Sequence, residues 1–199
     1  MTFIGTVSPA GGNLKEPVTE STKKAARCFY ALEQKRADQK RYPAVNPIDS
    51  YSKYLEYPEI QEYLEKTIAP GWTEKVNGLK NLIRKGREAQ EQINILGDDG
   101  VPMNYHELFW KSELIDFVVL QQDAFDAIDA LCPLDRQKYM VELVLGICER
   151  HFEFEDFEKC RDFFKEIINI LRQMNYSEFH SEQFKEFENK LNTLLSNGK

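Results

Sequence analysis

Residues 72–96 read WTEKVNGLKNLIRKGREAQEQINIL and carry the clearest structural pattern in the chain. Their apolar side chains recur at spacings of mostly three and four residues, at Trp72, Val76, Leu79, Leu82, Ile83, Ala89, Ile93 and Leu96. This spacing places them on one face of an α-helix. Gly97 follows, and glycine commonly ends helices. We therefore predict one long helix whose apolar face packs against other helices.

The same spacing recurs in three segments nearer the C-terminus. The first follows Pro133, a residue that suits the first turn of a helix, and would bury Met140, Leu143, Val144, Ile147 and Cys148. The others would bury Phe157, Cys160, Phe164, Ile167, Ile168 and Leu171, and then Phe184, Phe187, Leu191, Leu194 and Leu195. Gly146 costs about 1 kcal/mol in a helix relative to alanine, and we expect close helix packing to offset this. The pattern predicts five or six helices over residues 59–199, with a frayed end at 196–199.

The first 58 residues have a different character. Five of the eight prolines lie here, and proline interrupts helices and central strands. Residues 2–7 are rich in β-branched and aromatic side chains, which predicts a strand, and residues 25–32 fit either a buried strand or the start of a helix. Residues 33–41 favour a helix, and residues 42–48 contain two X-Pro steps typical of an ordered loop. We therefore expect a mainly α fold, with a short mixed α/β segment over residues 1–58 before a helical bundle over residues 59–199.

The composition excludes several classes of protein. The formal net charge of −7 argues against a nucleic-acid-binding protein, which would carry a basic surface. No apolar run approaches the roughly 18 residues of a membrane-spanning helix, so no membrane insertion is expected. Residues 1–12 lack the pattern of a signal peptide. The four cysteines are scattered without a CxxC pair, which is typical of reduced thiols in a cytoplasmic protein.

Motifs for metal or phosphate binding are weak. His106, His151 and His180 have no metal-ligand spacing, so no metal site is expected. The glycine-rich residues 8–17 (SPAGGNLKEP) lack the GxxxxGK[ST] and GxGxxG spacings that hold phosphates. Residues 149–158 (ERHFEFEDFE) fit a carboxylate site or, better, a junction between two helices, because acidic residues are enriched in the first turn of a helix.

Two aromatic residues stand beside turn-forming residues, Tyr42 in RYPAVNP and Phe125 in LQQDAFD. An aromatic face can stack on a nucleobase, and the side chains of Gln121 and Gln122 can orient such a base through hydrogen bonds. The alternative is that both aromatics pack in the core. The residues alone favour core packing.

Two long segments, taken together, resemble a known family. Residues 5–54 read GTVSPAGGNLKEPVTESTKKAARCFYALEQKRADQKRYPAVNPIDSYSKY, and residues 120–133 read LQQDAFDAIDALCP. The first is similar to the SPPGGDxxEPVT loop and the [FY]PAxNWxxSYSxY segment of the catalytic A subunit of V/A-type rotary ATPases. The second is similar to that family's LQQNAFxxVDxYCP segment. The resemblance covers essentially the whole chain. Pro47 stands where many members have Trp, and Leu131 where many have an aromatic residue.

The resemblance implies that the chain is a C-terminal fragment of that subunit. Residues 1–58 would be the C-terminal end of the P-loop nucleotide-binding domain, and residues 59–199 the helical C-terminal domain. The family's Walker A loop, catalytic glutamate and Walker B aspartate lie upstream of this region, and their motifs do not occur in this sequence. The fragment alone is therefore expected to be inactive and to bind no nucleotide tightly, with no catalytic or metal-binding residue of its own.

By the same resemblance, Tyr42 corresponds to the aromatic residue that stacks on the adenine ring, Phe125 to the second wall of the adenine pocket, and Gln122 lies nearby. The whole subunit binds ATP or ADP with Mg²⁺ in an alternating hexamer of A and B subunits around a central stalk. That hexamer is the cytoplasmic head of a membrane-bound machine, which couples ATP hydrolysis or synthesis to rotation and to H⁺ or Na⁺ transport. The main alternative is a stand-alone helical protein-interaction module without nucleotide binding. The regulatory B subunit ranks well below the A subunit.

Overall fold

The computed structural model describes residues 1–197, which are mainly helical. These residues form eight α-helices: α1 Pro17–Ala25, α2 Gln34–Asp38, α3 Pro58–Thr67, α4 Trp72–Leu96, α5 Met103–Ile115, α6 Leu134–Glu149, α7 Phe157–Asn175 and α8 Glu182–Asn197. Two short antiparallel strands, β1 Cys28–Phe29 and β2 Tyr51–Ser52, pair with each other. Because six of the helices lie beyond residue 57, the predicted mainly α fold and the predicted number of helices are confirmed. Gly198 and Lys199, the last part of the expected frayed end, lie outside the described residues.

The N-terminal part of the chain contains only short stretches of paired strand. β1 pairs with β2, and Leu32 forms a further antiparallel bridge with Val45. α1 begins at Pro17, where the carboxylate of Glu16 accepts the backbone N–H of Thr19 at 3.3 Å and caps the helix. Residues 2–7 do not form the predicted strand and are mostly exposed. The expectation is wrong because a strand needs a neighbour for its backbone N–H and C=O groups, and none pairs with these residues within the described chain.

α4 and α5 pack side by side, and Gly86 lies at their closest approach. A Cβ atom at Gly86 would lie 2.1 Å from the Cβ of Ser112 and 3.0 Å from the carbonyl oxygen of Leu108, so only glycine fits. Gly146, where close packing was expected, is instead exposed, with no atom of a neighbouring element within 4 Å of where its Cβ would lie. The expectation for Gly146 is therefore wrong, and the close helix packing occurs at Gly86 instead.

The core lies among helices α4 to α8. Its fully buried side chains include Leu114, Ile115, Val144, Ile147, Phe164, Ile167, Leu171 and Leu191. The long helix predicted from residues 72–96 is confirmed as α4, although Leu96 is 57% exposed. In α6, Val141 is buried, whereas Leu143, which was expected in the core, is half-buried. None of the described helices combines the length and apolar character needed to cross a membrane.

A π-helical turn, Asp116–Leu120, extends α5 at its C-terminal end. The chain then leaves helical geometry and forms an irregular loop over residues 121–133 before α6 begins. This π turn lies next to α6 and α7. The helical bundle therefore positions the loop that contains Phe125.

Candidate functional site

The loop that begins at Tyr42 is ordered, as the sequence predicts. The backbone N–H of Asn46 donates to the carbonyl oxygen of Ala31 at 2.8 Å. The backbone N–H of Glu33 donates to the carbonyl oxygen of Ala44 at 2.9 Å. These two bonds fix both ends of the segment between residues 33 and 44, so they limit where the chain can place Tyr42.

The buried side chain of Asn46 completes this loop. Its oxygen accepts the backbone N–H groups of Ile48 and Asp49 at 2.8 and 3.0 Å, an arrangement that asparagine commonly adopts in turns. Its amide nitrogen donates to the carboxylates of Glu33 and Asp49 at 3.1 and 3.0 Å. Every polar atom of the Asn46 side chain is therefore satisfied, which stabilises one conformation of the loop.

Two carboxylates hold the loop over residues 121–133 in shape. Asp126 accepts the backbone N–H groups of Ile128 and Asp129 at 2.9 and 2.8 Å. Asp129, which is buried, accepts the backbone N–H of Asp123 at 2.6 Å. Burial raises the pKa of the Asp129 carboxyl, and the hydrogen bond from Asp123 acts in the opposite direction. The loop thus has an irregular backbone that is held by hydrogen bonds between its own residues.

Arg136, in the first turn of α6, fastens the same loop to the end of α7. Its buried guanidinium donates to the carbonyl oxygen of Ile128 at 3.1 Å and to that of Met174 at 3.3 Å, and it also contacts the carbonyl oxygen of Asn175. The side-chain amide of Asn175 donates to the carbonyl oxygen of Val118 at 2.9 Å. The end of α7 therefore holds both the π turn and the loop that follows it.

The two loops meet through one backbone hydrogen bond, in which the N–H of Gln122 donates to the carbonyl oxygen of Tyr42 at 2.9 Å. The side-chain amide nitrogen of Gln122 donates to the carbonyl oxygen of Asp129 at 2.7 Å, within its own loop. Tyr42 is 53% exposed and Phe125 is fully exposed. Core packing, which the residues alone favoured, is therefore wrong for both aromatics. The structure brings Tyr42 and Gln122 together directly, and Phe125 lies three residues further along the same loop.

Several apolar side chains of the loop over residues 121–133 and the start of α6 are exposed to solvent. Phe125 is fully exposed among the described residues, and Leu131 and Leu134 in the same region are 76% and 50% exposed. Exposed aromatic side chains can stack on flat aromatic ligands. Stacking alone does not distinguish one base from another, because every base has a π face. The interaction that these exposed rings offer is therefore stacking on a planar ring.

Four charged residues, here called the ion-pair cluster, lie beside the Tyr42 loop: Arg36, Arg41, Glu113 and Asp116. The guanidinium of Arg36 donates to both carboxylate oxygens of Asp116 at 2.7 and 3.0 Å. That of Arg41 donates to both oxygens of Glu113 at 2.7 and 3.0 Å and also contacts Asp116. These partners lie 72 to 80 positions apart in the chain, so helical or strand spacing could not predict the cluster.

The ion-pair cluster is largely withdrawn from solvent, with the side chains of Arg41 and Glu113 17% and 15% exposed. The side chains of Arg36 and Asp116 are each 9% exposed. Burial disfavours the charge on Arg41, but hydrogen bonds and Coulomb attraction from Glu113 and Asp116 outweigh it and raise the pKa of the Arg41 guanidinium. The two guanidinium groups and the two carboxyl groups therefore form one connected hydrogen-bonded network.

The other sequence candidates do not assemble into a site. Within residues 1–197, no group of three His, Cys, Asp or Glu side chains is placed to hold a metal ion. Residues 149–158 form the junction between α6 and α7, as favoured from the sequence. α6 ends at Glu149, and Asp156 caps α7 by accepting the backbone N–H of Lys159 at 2.7 Å.

Comparison with known proteins gives the family. Residues 61–169 match the family described as "C-terminal domain of V and A type ATP synthase". The chain belongs to this family. Residues 1–52 match a second family, described as "ATP synthase alpha/beta family, nucleotide-binding domain". The predicted family resemblance is thereby confirmed.

Similar proteins include three that are described as "V-type ATP synthase alpha chain". The protein from Chlamydia abortus is 40% identical over 94% of this chain, and that from Chlamydia trachomatis serovar D is 41% identical over 92%. The protein from Chlamydia pneumoniae is 37% identical over 98% of this chain. The aligned region covers 31 to 32% of these relatives, so the chain spans about a third of their length.

A solved structure shares the fold. The ATP synthase subunit NeqB from Nanoarcheaum equitans aligns with a TM-score of 0.52 and 17% sequence identity. The alignment covers 71% of this chain and 33% of the NeqB chain. At this identity the similarity concerns the architecture alone.

Proposed function

We propose that this chain is the C-terminal part of the catalytic A subunit of a V/A-type ATP synthase or ATPase. It would supply a wall of the adenine pocket and the helical lever that couples ATP hydrolysis or synthesis to rotation and to H⁺ or Na⁺ transport. The observation that carries the proposal is the backbone hydrogen bond between Gln122 and Tyr42. In a chain of this family, that bond joins the segments from which the exposed Tyr42 and Phe125 side chains project.

The proposal divides the chain into two parts. Residues 1–58 would be the C-terminal end of the P-loop nucleotide-binding domain, and residues 59–199 the helical C-terminal domain. The two family matches, which end at residue 52 and begin at residue 61, support a boundary between them. Tyr42 would then belong to the nucleotide-binding domain and Phe125 to the helical domain.

The Tyr42 and Phe125 rings would bind adenine by stacking. A base stacked on an aromatic side chain contributes about 1–3 kcal/mol to binding, which supports a binding role without any catalytic one. Gln122 would act mainly through its backbone, because its side-chain amide nitrogen already donates to Asp129. Its backbone N–H would hold Tyr42 at a fixed position relative to the loop that contains Phe125.

ATP or ADP with Mg²⁺ would be bound by the whole subunit. The exposed aromatic surface fits the base, whereas the described residues include no group of ligands suited to a metal ion. Phosphoryl transfer in P-loop enzymes depends on the P-loop, Mg²⁺ and an arginine supplied in trans, and this chain would contribute none of these. We therefore expect the chain alone to lack ATPase activity and to bind no nucleotide tightly.

Coupling would follow from movement of the helical domain. A nucleotide that binds one arrangement of the two domains more tightly than another shifts the population toward that arrangement. The helical domain would then move as a packed body against the central stalk, within a hexamer that alternates A and B subunits. The assembly would lie in the cytoplasm, at the periphery of the membrane that contains the ion-transporting subunits.

The alternative of a stand-alone interaction module is not favoured, since the family matches include a nucleotide-binding domain. The reading frame upstream of Met1 separates the two possibilities. The proposal expects a GxxxxGK[ST] loop there, followed by saturable, Mg²⁺-dependent ATP hydrolysis when the whole subunit is assembled with its B partner. A reading frame that starts at Met1, in a protein that binds no nucleotide in any assembly, would contradict it.

A further inference from the structure

The ion-pair cluster connects the two proposed parts of the chain. Arg36 and Arg41 precede the Tyr42 loop, whereas Glu113 lies in α5 and Asp116 begins the π turn that extends it. Four hydrogen bonds of 2.7 to 3.0 Å link the guanidinium groups to the carboxylates in bidentate pairs. Bidentate pairing of this kind fixes direction as well as distance. The cluster therefore fixes the orientation of the Tyr42 loop relative to α5.

Arg41 is the member of the cluster that immediately precedes Tyr42 in the chain. Its guanidinium lies over the ring of Phe117, 4.5 Å from the ring centroid, in addition to its contacts with the two carboxylates. Its backbone N–H donates to the carbonyl oxygen of Arg36 at 2.8 Å. Arg41 is therefore held by its main chain, by the two carboxylates and by the ring of Phe117.

Tyr42 depends on this support, since its own side chain is half exposed. Its backbone is held on one side by Arg41 and on the other by the hydrogen bond from Gln122 to its carbonyl oxygen. A stacking residue contributes fully only when its orientation is fixed before the ligand binds, because otherwise binding must order it. The backbone position of Tyr42 is thus set by Arg41 and Gln122.

We propose that Arg41 is a positioning residue, which fixes Tyr42 for stacking on the nucleobase through its ion pairs with Glu113 and Asp116. The inference rests on the proposed function of Tyr42 and extends it to Arg41, whose head group is bonded to Glu113 and Asp116. The base pocket and α5 are then joined by one buried electrostatic link.

The test uses the intact subunit and measures the Kd for ATP alongside the melting temperature. Replacing Arg41 alone leaves Glu113 without a partner in a buried site, which can unfold the protein. The informative variant is therefore Arg41→Met with Glu113→Gln, in which Arg36 still neutralises Asp116. Lys66→Met with Glu62→Gln is the matched control, because it removes an ion pair whose side chains are 73% and 66% exposed.

We expect the Arg41→Met/Glu113→Gln variant to raise the Kd for ATP by about three- to thirtyfold, which is part of the loss caused by removing the stack. The control should leave the Kd for ATP unchanged. A single Arg41→Lys substitution, which keeps a positive charge beside Glu113, should lose less affinity for ATP than the Arg41→Met/Glu113→Gln variant. In a Tyr42→Ala background the same pair of substitutions should cause no further loss, since Arg41 acts through Tyr42. A Kd that stays unchanged while the melting temperature falls would overturn the inference, as would losses that add fully in the combined variant.

The two proposals fail in different ways. If Tyr42→Ala weakens ATP binding but the Arg41→Met/Glu113→Gln variant does not, the positioning role is wrong and the proposed pocket stands. If Tyr42→Ala itself leaves the Kd unchanged, the pocket assignment is wrong, and the inference about Arg41 is overturned with it.

Discussion

The N–H of Gln122 donates a hydrogen bond of 2.9 Å to the carbonyl oxygen of Tyr42. Because both partners are backbone groups, the bond fixes the two chain segments themselves and leaves the Tyr42 ring free for a ligand. On the other side of Tyr42, Arg41 is bound to Glu113 and Asp116. The proposed pocket wall is therefore held between a backbone bond and a buried ion-pair cluster.

Asp116→Asn should strongly destabilise the protein. The substitution leaves Arg36 and Arg41 with one fewer negative partner in a buried site, and breaking a buried pair costs about 3–5 kcal/mol. Urea unfolding of the purified chain measures this change. Glu62→Gln, in an exposed pair with Lys66, should have almost no effect. Equal effects of the two substitutions would mean that the cluster contributes no more than a surface pair.

Alanine substitution at two helical glycines should have opposite effects on stability. Gly86→Ala places a methyl group 2.1 Å from the Cβ of Ser112, so the α4–α5 contact must separate, at a cost of about 1–3 kcal/mol. Gly146→Ala meets no atom of a neighbouring element and should stabilise the helix by up to about 1 kcal/mol. Thermal unfolding of both variants measures the difference. A stabilised Gly86→Ala protein would contradict the α4–α5 contact described here.

The four thiols should differ in reactivity. Burial raises the pKa of the Cys148 and Cys160 thiols to about 12 and also raises that of Cys132, but Cys132 is exposed and Cys28 is partly exposed. Because the thiolate is the reactive form, Cys148 and Cys160 should resist alkylation at pH 8 and even at pH 10 in the folded protein. Mass spectrometry after timed iodoacetamide treatment, with and without urea, identifies the modified residues. Rapid labelling of all four cysteines without urea would contradict the packing of α6 and α7.

The purified 199-residue chain should not hydrolyse ATP. It would supply a base-binding surface and a lever, but no P-loop to hold the phosphates. Phosphate release measured with and without Mg²⁺, over a range of ATP concentrations, tests this expectation. Saturable, Mg²⁺-dependent release by the chain alone would show that phosphate-binding chemistry is present in it.

The helical part of the fold could be predicted from the sequence because helix packing leaves a local periodic pattern. Residues 72–96 and the apolar positions of α7 show this directly, and nearly all of the latter are buried as predicted. Local sequence patterns did not predict the structure correctly where a segment depends on contacts with residues elsewhere in the chain. Residues 2–7 have the composition of a strand but no neighbour to pair with, and the effect of Gly86 depends on Ser112 in another helix.

In the candidate site, too, contacts between distant parts of the chain could not be predicted from local sequence patterns. Tyr42, Gln122 and Phe125 were identified through family resemblance, because nothing in their spacing separates an exposed aromatic residue from a core one. The pairing of Arg41 with Glu113 joins positions 72 residues apart, which no periodic pattern reveals. Such contacts become visible only when the fold brings the two segments together.

In the proposed pocket, Tyr42 and Phe125 bind the base of ATP. The most direct test compares Mg-ATP with Mg-tripolyphosphate, which has the phosphates but no base, in the intact subunit. Tyr42→Ala and Phe125→Ala should each raise the Kd for ATP by about five- to hundredfold and leave that for tripolyphosphate unchanged, with turnover at saturating ATP largely preserved. Tyr63→Ala, at a 63% exposed tyrosine on α3, is the control and should change neither Kd. An unchanged Kd for ATP with collapsed turnover, or an equal loss for both ligands, would contradict the account.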